Sequence, residues 1–159
     1  MPRPPATLKL AVLSDTHGLL RAEVVRACTG VHAILHAGDV GDPGILARLA
    51  ELAPVTAIRG NIDTAGPCAA LPVTEMVQFG GVTLYLVHSL ADLDISPAAA
   101  GVQVVVSGHS HKLRVETQGE VLYLNPGSVG PRRFRLPVTM AYLRLKDGAV
   151  EVEELFFEV

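Results

Sequence analysis

The chain has no tryptophan, 2 cysteines and only 4% aromatic residues in 159. Two cysteines outside any Cys-x-x-Cys or zinc-finger spacing exclude a disulfide framework, so Cys28 and Cys68 read as reduced thiols. No apolar run approaches the roughly 18 residues of a membrane-spanning helix. Excess positive charge is also missing: 13 basic against 16 acidic residues leave −3, which excludes a polybasic nucleic-acid binder. Three signatures of other enzyme classes are absent as well, namely the Gly-x-Ser-x-Gly elbow, the Gly-Lys-Ser/Thr phosphate loop and the His-Glu-x-x-His helix.

What remains is apolar. Hydrophobic residues make up 49% and charged residues 18%, and the length suits one domain over residues 1–159. Such a chain buries about 70% of its unfolded surface. The N-terminus reads as a short tail running into a strand, without a leader's cleavage site, so a cytoplasmic location is expected.

The first 60 residues alternate strand and helix. Leu8 to Leu13 is a continuous apolar run of the kind buried on both faces of a parallel sheet. Leu20 to Cys28 has helical spacing and Gly30 to stop it; Ala33 to His36 is a second strand. Asp42 and Pro43 form a helix start, giving Pro43 to Leu52, and Val55 to Ile58 is a third strand. After about residue 70 hairpins dominate. Thr74 to Phe79 and Val82 to His88 flank Gly80-Gly81, Arg114 to Thr117 and Val121 to Leu124 flank Gly119, and Thr139 to Leu145 and Val150 to Phe156 flank Asp147-Gly148. A short helix is expected at Asp92 to Ala100, then a strand at Val102 to Val106. This grammar predicts two sheets packed face to face with helices outside.

Residues with coordinating chemistry fall at strand ends. Asp15 and His17 follow the first strand, Asp39 the second, Asn61 the third, His88 the next, and His109 and His111 the strand after that. From Asp15 through Asp39, Asn61 and His88 to His109 the separations are 24, 22, 27 and 21 residues, about one supersecondary unit each. Right-handed crossovers return parallel strands in one direction, so these groups should collect along one sheet edge. The motif Gly108-His109-Ser110-His111 has a chance expectation of only about 0.02.

The ordered set DTH (15–17), GD (38–39), GN (60–61), His88 and GHSH (108–111) resembles the calcineurin-like metallophosphoesterase superfamily. HAGDV, RGNID, GHSHK and NPGS (125–128) resemble its small single-domain prokaryotic phosphodiesterases. The resemblance implies an α/β fold, a four-layer αββα sandwich of two mixed β-sheets with helices outside, carrying a dinuclear metal site. It places Asp15, His17, Asp39 and His111 on one metal and Asp39, Asn61, His88 and His109 on the other, with Asp39 bridging. Asp39, Asn61 and His109 would carry catalysis. Such nitrogen and oxygen donors suit two divalent ions and do not choose among manganese, iron, nickel, cobalt, zinc or magnesium, of which manganese is the first expectation. Ions about 3.5–4 Å apart would hold a bridging hydroxide for in-line attack on a phosphoester.

Larger members read GNHE or GNHD, whereas Ile62 and Asp63 follow Asn61 here. Isoleucine cannot protonate a leaving group, so a slow enzyme preferring diesters or activated leaving groups is expected. The expected substrate is a small phosphoester, with no membrane and no clear nucleic-acid surface. Val150 to Phe157 suits either core or a subunit contact, so a homo-oligomer is compatible with the sequence. Arg59 and Arg132 match rim positions; Asn125 and Ser128 match a loop below the metals. Asp63 reads as a turn residue or a support beside Asn61, and His32 and His36 as hydrogen-bonded polar residues, with His36 a candidate partner to a ligand. A second function on the same fold is a non-enzymatic protein-binding scaffold, as in the retromer subunit.

Overall fold

The computed structural model describes residues 7–133 and 135–159, and the tail expected before residue 7 lies outside them. Strand β1 (Leu8–Leu13), helix α1 (Ala22–Cys28), β2 (Ala33–His36), α2 (Pro43–Ala50) and β3 (Val55–Ala57) follow in the expected order. Asp42 caps α2 by accepting the Gly44 N–H at 2.9 Å. Strands β4 (Thr74–Phe79), β5 (Val82–Val87), β6 (Val104–Val106), β7 (Leu113–Gln118), β8 (Val121–Pro126), β9 (Val138–Lys146) and β10 (Ala149–Phe157) complete the chain.

Two mixed five-stranded sheets result, ordered β10-β9-β1-β2-β3 and β4-β5-β6-β8-β7. In the first, β1, β2 and β3 are parallel and β9 pairs antiparallel with β1; in the second, β5, β6 and β8 are parallel. Side-chain alternation sorts each strand between two cores. Leu10 and Val12 of β1 meet Leu84, Leu86, Val104 and Val106 between the sheets. Ala11 and Leu13 face the other way, under Val24 and Cys28 of α1 and Ile45 and Leu49 of α2. Burial pushes the Cys28 thiol up to about 12, so it packs as a small apolar group.

The outer face of the second sheet corrects one expectation. No α-helix forms at Asp92 to Ala100; Leu90–Asp92 is a short 3₁₀ turn. Beyond it Pro97, which has no N–H to donate, heads a single turn closed by Ala100 N–H to Ser96 O at 3.0 Å and Val102 N–H to Pro97 O at 2.9 Å. That last bond takes the Val102 amide, and β6 starts at Val104 instead of Val102. Leu93 and Ile95 still cover Tyr85, Val87 and Val105, so an outer layer exists without being helical. Among the described residues no helix is long and apolar enough to cross a membrane.

Candidate metal centre

The turns leaving β1, β2, β3, β5 and β6 bring all seven expected donors together. Asp15, His17 and His111 form one group with ligand atoms within 4.8 Å of one another, and Asp39, His88 and His109 form a second. Asp39 Oδ2 joins the groups, lying 3.3 Å from His17 Nε2 and 3.3 Å from His88 Nε2. Asp15 Oδ1 lies 3.5 Å from His17 Nε2 and 3.4 Å from His111 Nε2. Asn61 Oδ1 is 3.0 Å from His88 Nε2 and 3.2 Å from His109 Nδ1. Turning that amide over would instead let its nitrogen donate to Asp39 Oδ2 at 3.1 Å; with oxygen inward it presents a ligand atom.

The protein occupies one oxygen of each carboxylate and leaves the other facing the cluster. Asp15 Oδ2 accepts from Ser14 Oγ (2.7 Å) and from the His109 N–H (3.1 Å), and Asp39 Oδ1 accepts from the Ile62 N–H (3.0 Å). Asp15 Oδ1 and His17 Nε2 are buried without any hydrogen-bond partner. Unpaired buried groups of this kind are costly, and a cation between them would satisfy both. The donors therefore fit divalent metal ions.

Electrostatics agree. Burial alone would raise Asp39, yet hydrogen bonds from the His88 ring and the Ile62 N–H, with the His88 and His17 charges, hold it at about 2. Burial opposes a charge on His88, but Asp39, the Ala37 carbonyl and Asp15 outweigh it and raise its pKa. His88 Nδ1 donates to Ala37 O at 2.7 Å, which directs Nε2 at the cluster. Burial, first, lowers His111, and the nearby His17 and Arg133 charges add to this.

Backbone geometry marks the same residues, which no sequence signal had suggested. Asp15, His17, Asp39, His109 and His111 all have positive φ, between 46° and 72°. Among described non-glycine residues only Arg135 and Asp147 share this. Left-handed backbone costs roughly 1–3 kcal/mol where the surroundings must enforce it, though Asp and His tolerate it better than most. Gly60 shows how tight the enforcement is, since a Cβ there would collide with the Asp39 carboxylate.

Supporting residues surround the donors. Asp63 is buried and accepts three backbone N–H groups, from Val40 (3.1 Å), Gly41 (3.0 Å) and Gly60 (2.9 Å), stapling the Asp39 turn to the Asn61 turn. His36, fully buried, accepts the Gly38 N–H on Nδ1 (3.1 Å) and donates from Nε2 to Thr16 Oγ1 (3.1 Å), which donates to Val40 O. His32 accepts the Lys9 N–H. Asn125 braces the GHSH turn through Gly108 O and Ser110 Oγ, and Ser128 Oγ donates to Asp15 O. Arg59 lines a cavity of about 250 Å³ beside Asn61, His88 and His109. Arg132 instead donates to its own loop, at Leu136 O and Arg135 O.

Two mixed sheets with carboxylates, imidazoles and one amide gathered at a shared edge place the chain among folds built to hold divalent metals. It belongs to the calcineurin-like phosphoesterase superfamily, whose domain pattern matches residues 8–148. Phosphodiesterase YfcE of Escherichia coli K12 is 32% identical over 146 residues, covering 77% of this chain and 79% of that protein. A structure described as a novel archaeal phosphodiesterase superposes with TM-score 0.79 at 20% identity, over 94% of this chain and all of the other. Vacuolar Protein Sorting 29 from Cryptosporidium parvum gives TM-score 0.77 at 19% identity, over 96% and 99% of the two chains. These two structural likenesses speak to fold alone.

Proposed function

We propose that the protein is a phosphohydrolase dependent on two divalent metal ions, and specifically a phosphodiesterase. The observation that carries this is Asp39 Oδ2 placed 3.3 Å from a histidine of each group, the position of a shared ligand. Asp15, His17 and His111 with Asp39 would hold one ion, and Asn61, His88 and His109 with Asp39 the other. Manganese leads, with iron, cobalt, nickel, zinc or magnesium compatible with the donor types. When bound, such a pair supplies Lewis acidity toward phosphoryl oxygens and water acidic enough to act at neutral pH.

The chain's own residues do the rest. Ser14 and the His109 amide fix the Asp15 carboxylate, and Ala37 O fixes the His88 tautomer, so the donors are preorganised. The exposed Arg59 guanidinium at the cavity rim is a charge-assisted donor for a non-bridging phosphoryl oxygen. Ile62, 40% exposed, offers no proton where larger relatives have histidine, which favours activated leaving groups and diesters. The name of the 32% identical relative supports the diester reading. The complete donor set favours an enzyme over a scaffold on the same fold.

Metal-stripped protein with manganese restored, assayed on an aryl phosphodiester and an aryl phosphomonoester, tests the proposal. Turnover favouring the diester, and its loss in Asp39→Ala, are the expected results. Bound metal without turnover of either would turn the reading toward the scaffold, and an Asp39→Ala variant keeping most of its rate would refute the site.

A further inference from the structure

Two cavities flank His109 of the donor cluster. One, of about 250 Å³, has Val73 and Val87 for apolar walls and Arg59 and Asp92 at its mouth. The other, of about 190 Å³, has Leu90, Ala91, Tyr123 and Leu124 for apolar walls, with Ser107, Ser110 and Arg114 beside them. His109 and Ser89 line both, so together they form the wall between the two. Asn61 and His88 border only the first cavity, while Gly108 and Asn125, behind the GHSH turn, border only the second.

Both cavities suit an uncharged, ring-sized group. A cavity of about 150 Å³ with apolar walls holds a benzene molecule, and each of these is larger. Neither holds an unpaired charge within its walls for the arm to neutralise. Arg59 and Asp92, opposite in sign, are both exposed where they border the first cavity, Arg59 facing the phosphoryl group, and Arg114 of the second is ion-paired to Glu116. A monoester would occupy one cavity and leave apolar walls of the other in water, forgoing the gain from burying them. A polymer would need a cationic track for its further phosphates, which a chain of net charge −3 does not suggest.

We infer that the two substituents of a phosphodiester lie on opposite sides of His109, one in each cavity. This rests on the phosphodiesterase reading above and narrows the substrate class to small diesters with two ring-sized, uncharged arms. Val73, 55% exposed, and Ala91, also exposed, sit at the two rims, where a larger side chain can fill the cavity without entering the core.

The test uses Val73→Trp and Ala91→Trp, with Val73→Phe and Ala91→Phe as smaller replacements should an indole impair folding. Dissociation constants of diphenylphosphinate and phenylphosphonate, which carry the same rings on P–C bonds that the protein cannot hydrolyse, are measured by calorimetry on manganese-loaded protein. Diphenylphosphinate should weaken by about tenfold or more in both variants, as losing the burial of one ring requires, whereas phenylphosphonate should weaken that much in at most one. Equal weakening of both ligands in both variants would mean a blocked entrance and would overturn the inference. So would an unchanged diphenylphosphinate constant in either. If wild type cleaves aryl diesters yet the binding pattern fails, only the arm placement falls; if it cleaves no phosphoester, the phosphodiesterase reading falls and takes the placement with it.

Discussion

Replacing Asp63 by alanine removes the acceptor that ties two donor-bearing turns together. Its carboxylate takes the N–H groups of Val40, Gly41 and Gly60, and only Gly41 of these three is exposed to water. An unsatisfied buried N–H costs roughly 1–3 kcal/mol, so the Val40 and Gly60 amides set a loss of about 2–6 kcal/mol. At roughly 2–4 °C per kcal/mol for a chain of this size, the melting temperature should fall by about 10 °C. Asp63→Asn keeps one carbonyl oxygen for that pair and should fall between wild type and Asp63→Ala. Urea unfolding of the metal-free proteins measures the stability, and a manganese titration of each measures the site. Because Val40 and Gly41 follow Asp39 and Gly60 precedes Asn61, manganese affinity should fall in the same order. An Asp63→Ala variant within about 0.5 kcal/mol of wild type, binding manganese equally well, would refute the stapling role.

His17→Ala and His109→Ala strike different groups. Each should weaken one ion selectively and cut turnover by more than the roughly 10–100-fold seen when supporting partners are lost; metal content and kcat measured together check this. His36 gives a pH signature. Burial lowers its pKa from 6.5 to about 4, so between these values the unfolded chain binds more protons than the folded one. Its contribution is complete above pH 6.5 and is lost as pH falls toward 4, by about 3 kcal/mol in all. His36→Gln should remove that part of the acid sensitivity, and parallel slopes of stability against pH in the two proteins would contradict it.

The sequence was most legible where local chemistry and tertiary structure agree. Asp42-Pro43 caps α2, and Gly80-Gly81, Gly119 and Asp147-Gly148 turn their hairpins, because glycine or aspartate supplies the backbone conformation each turn needs. The convergence of Asp15, Asp39, Asn61, His88 and His109 followed from strand order, since parallel strands end on one edge. Asp92 to Ala100 misled because its large apolar residues, Leu93 and Ile95, stand two apart and both cover the sheet, while Pro97 withholds an amide from the turn that would have to form. The partners of Asp63, His36 and Asn125 were hidden for another reason. They lie on other turns, such as Val40, Thr16 and Gly108, and no local pattern encodes a contact made only after the sheets have assembled.

Metal content of the manganese-saturated protein, with anomalous scattering to locate the ions, tests the central claim most directly. Two manganese ions per chain are expected, one among Asp15, His17 and His111, the other among Asn61, His88 and His109, with Asp39 touching both. Saturated protein holding no ion, or a single ion that Asp39 does not contact, would contradict the account.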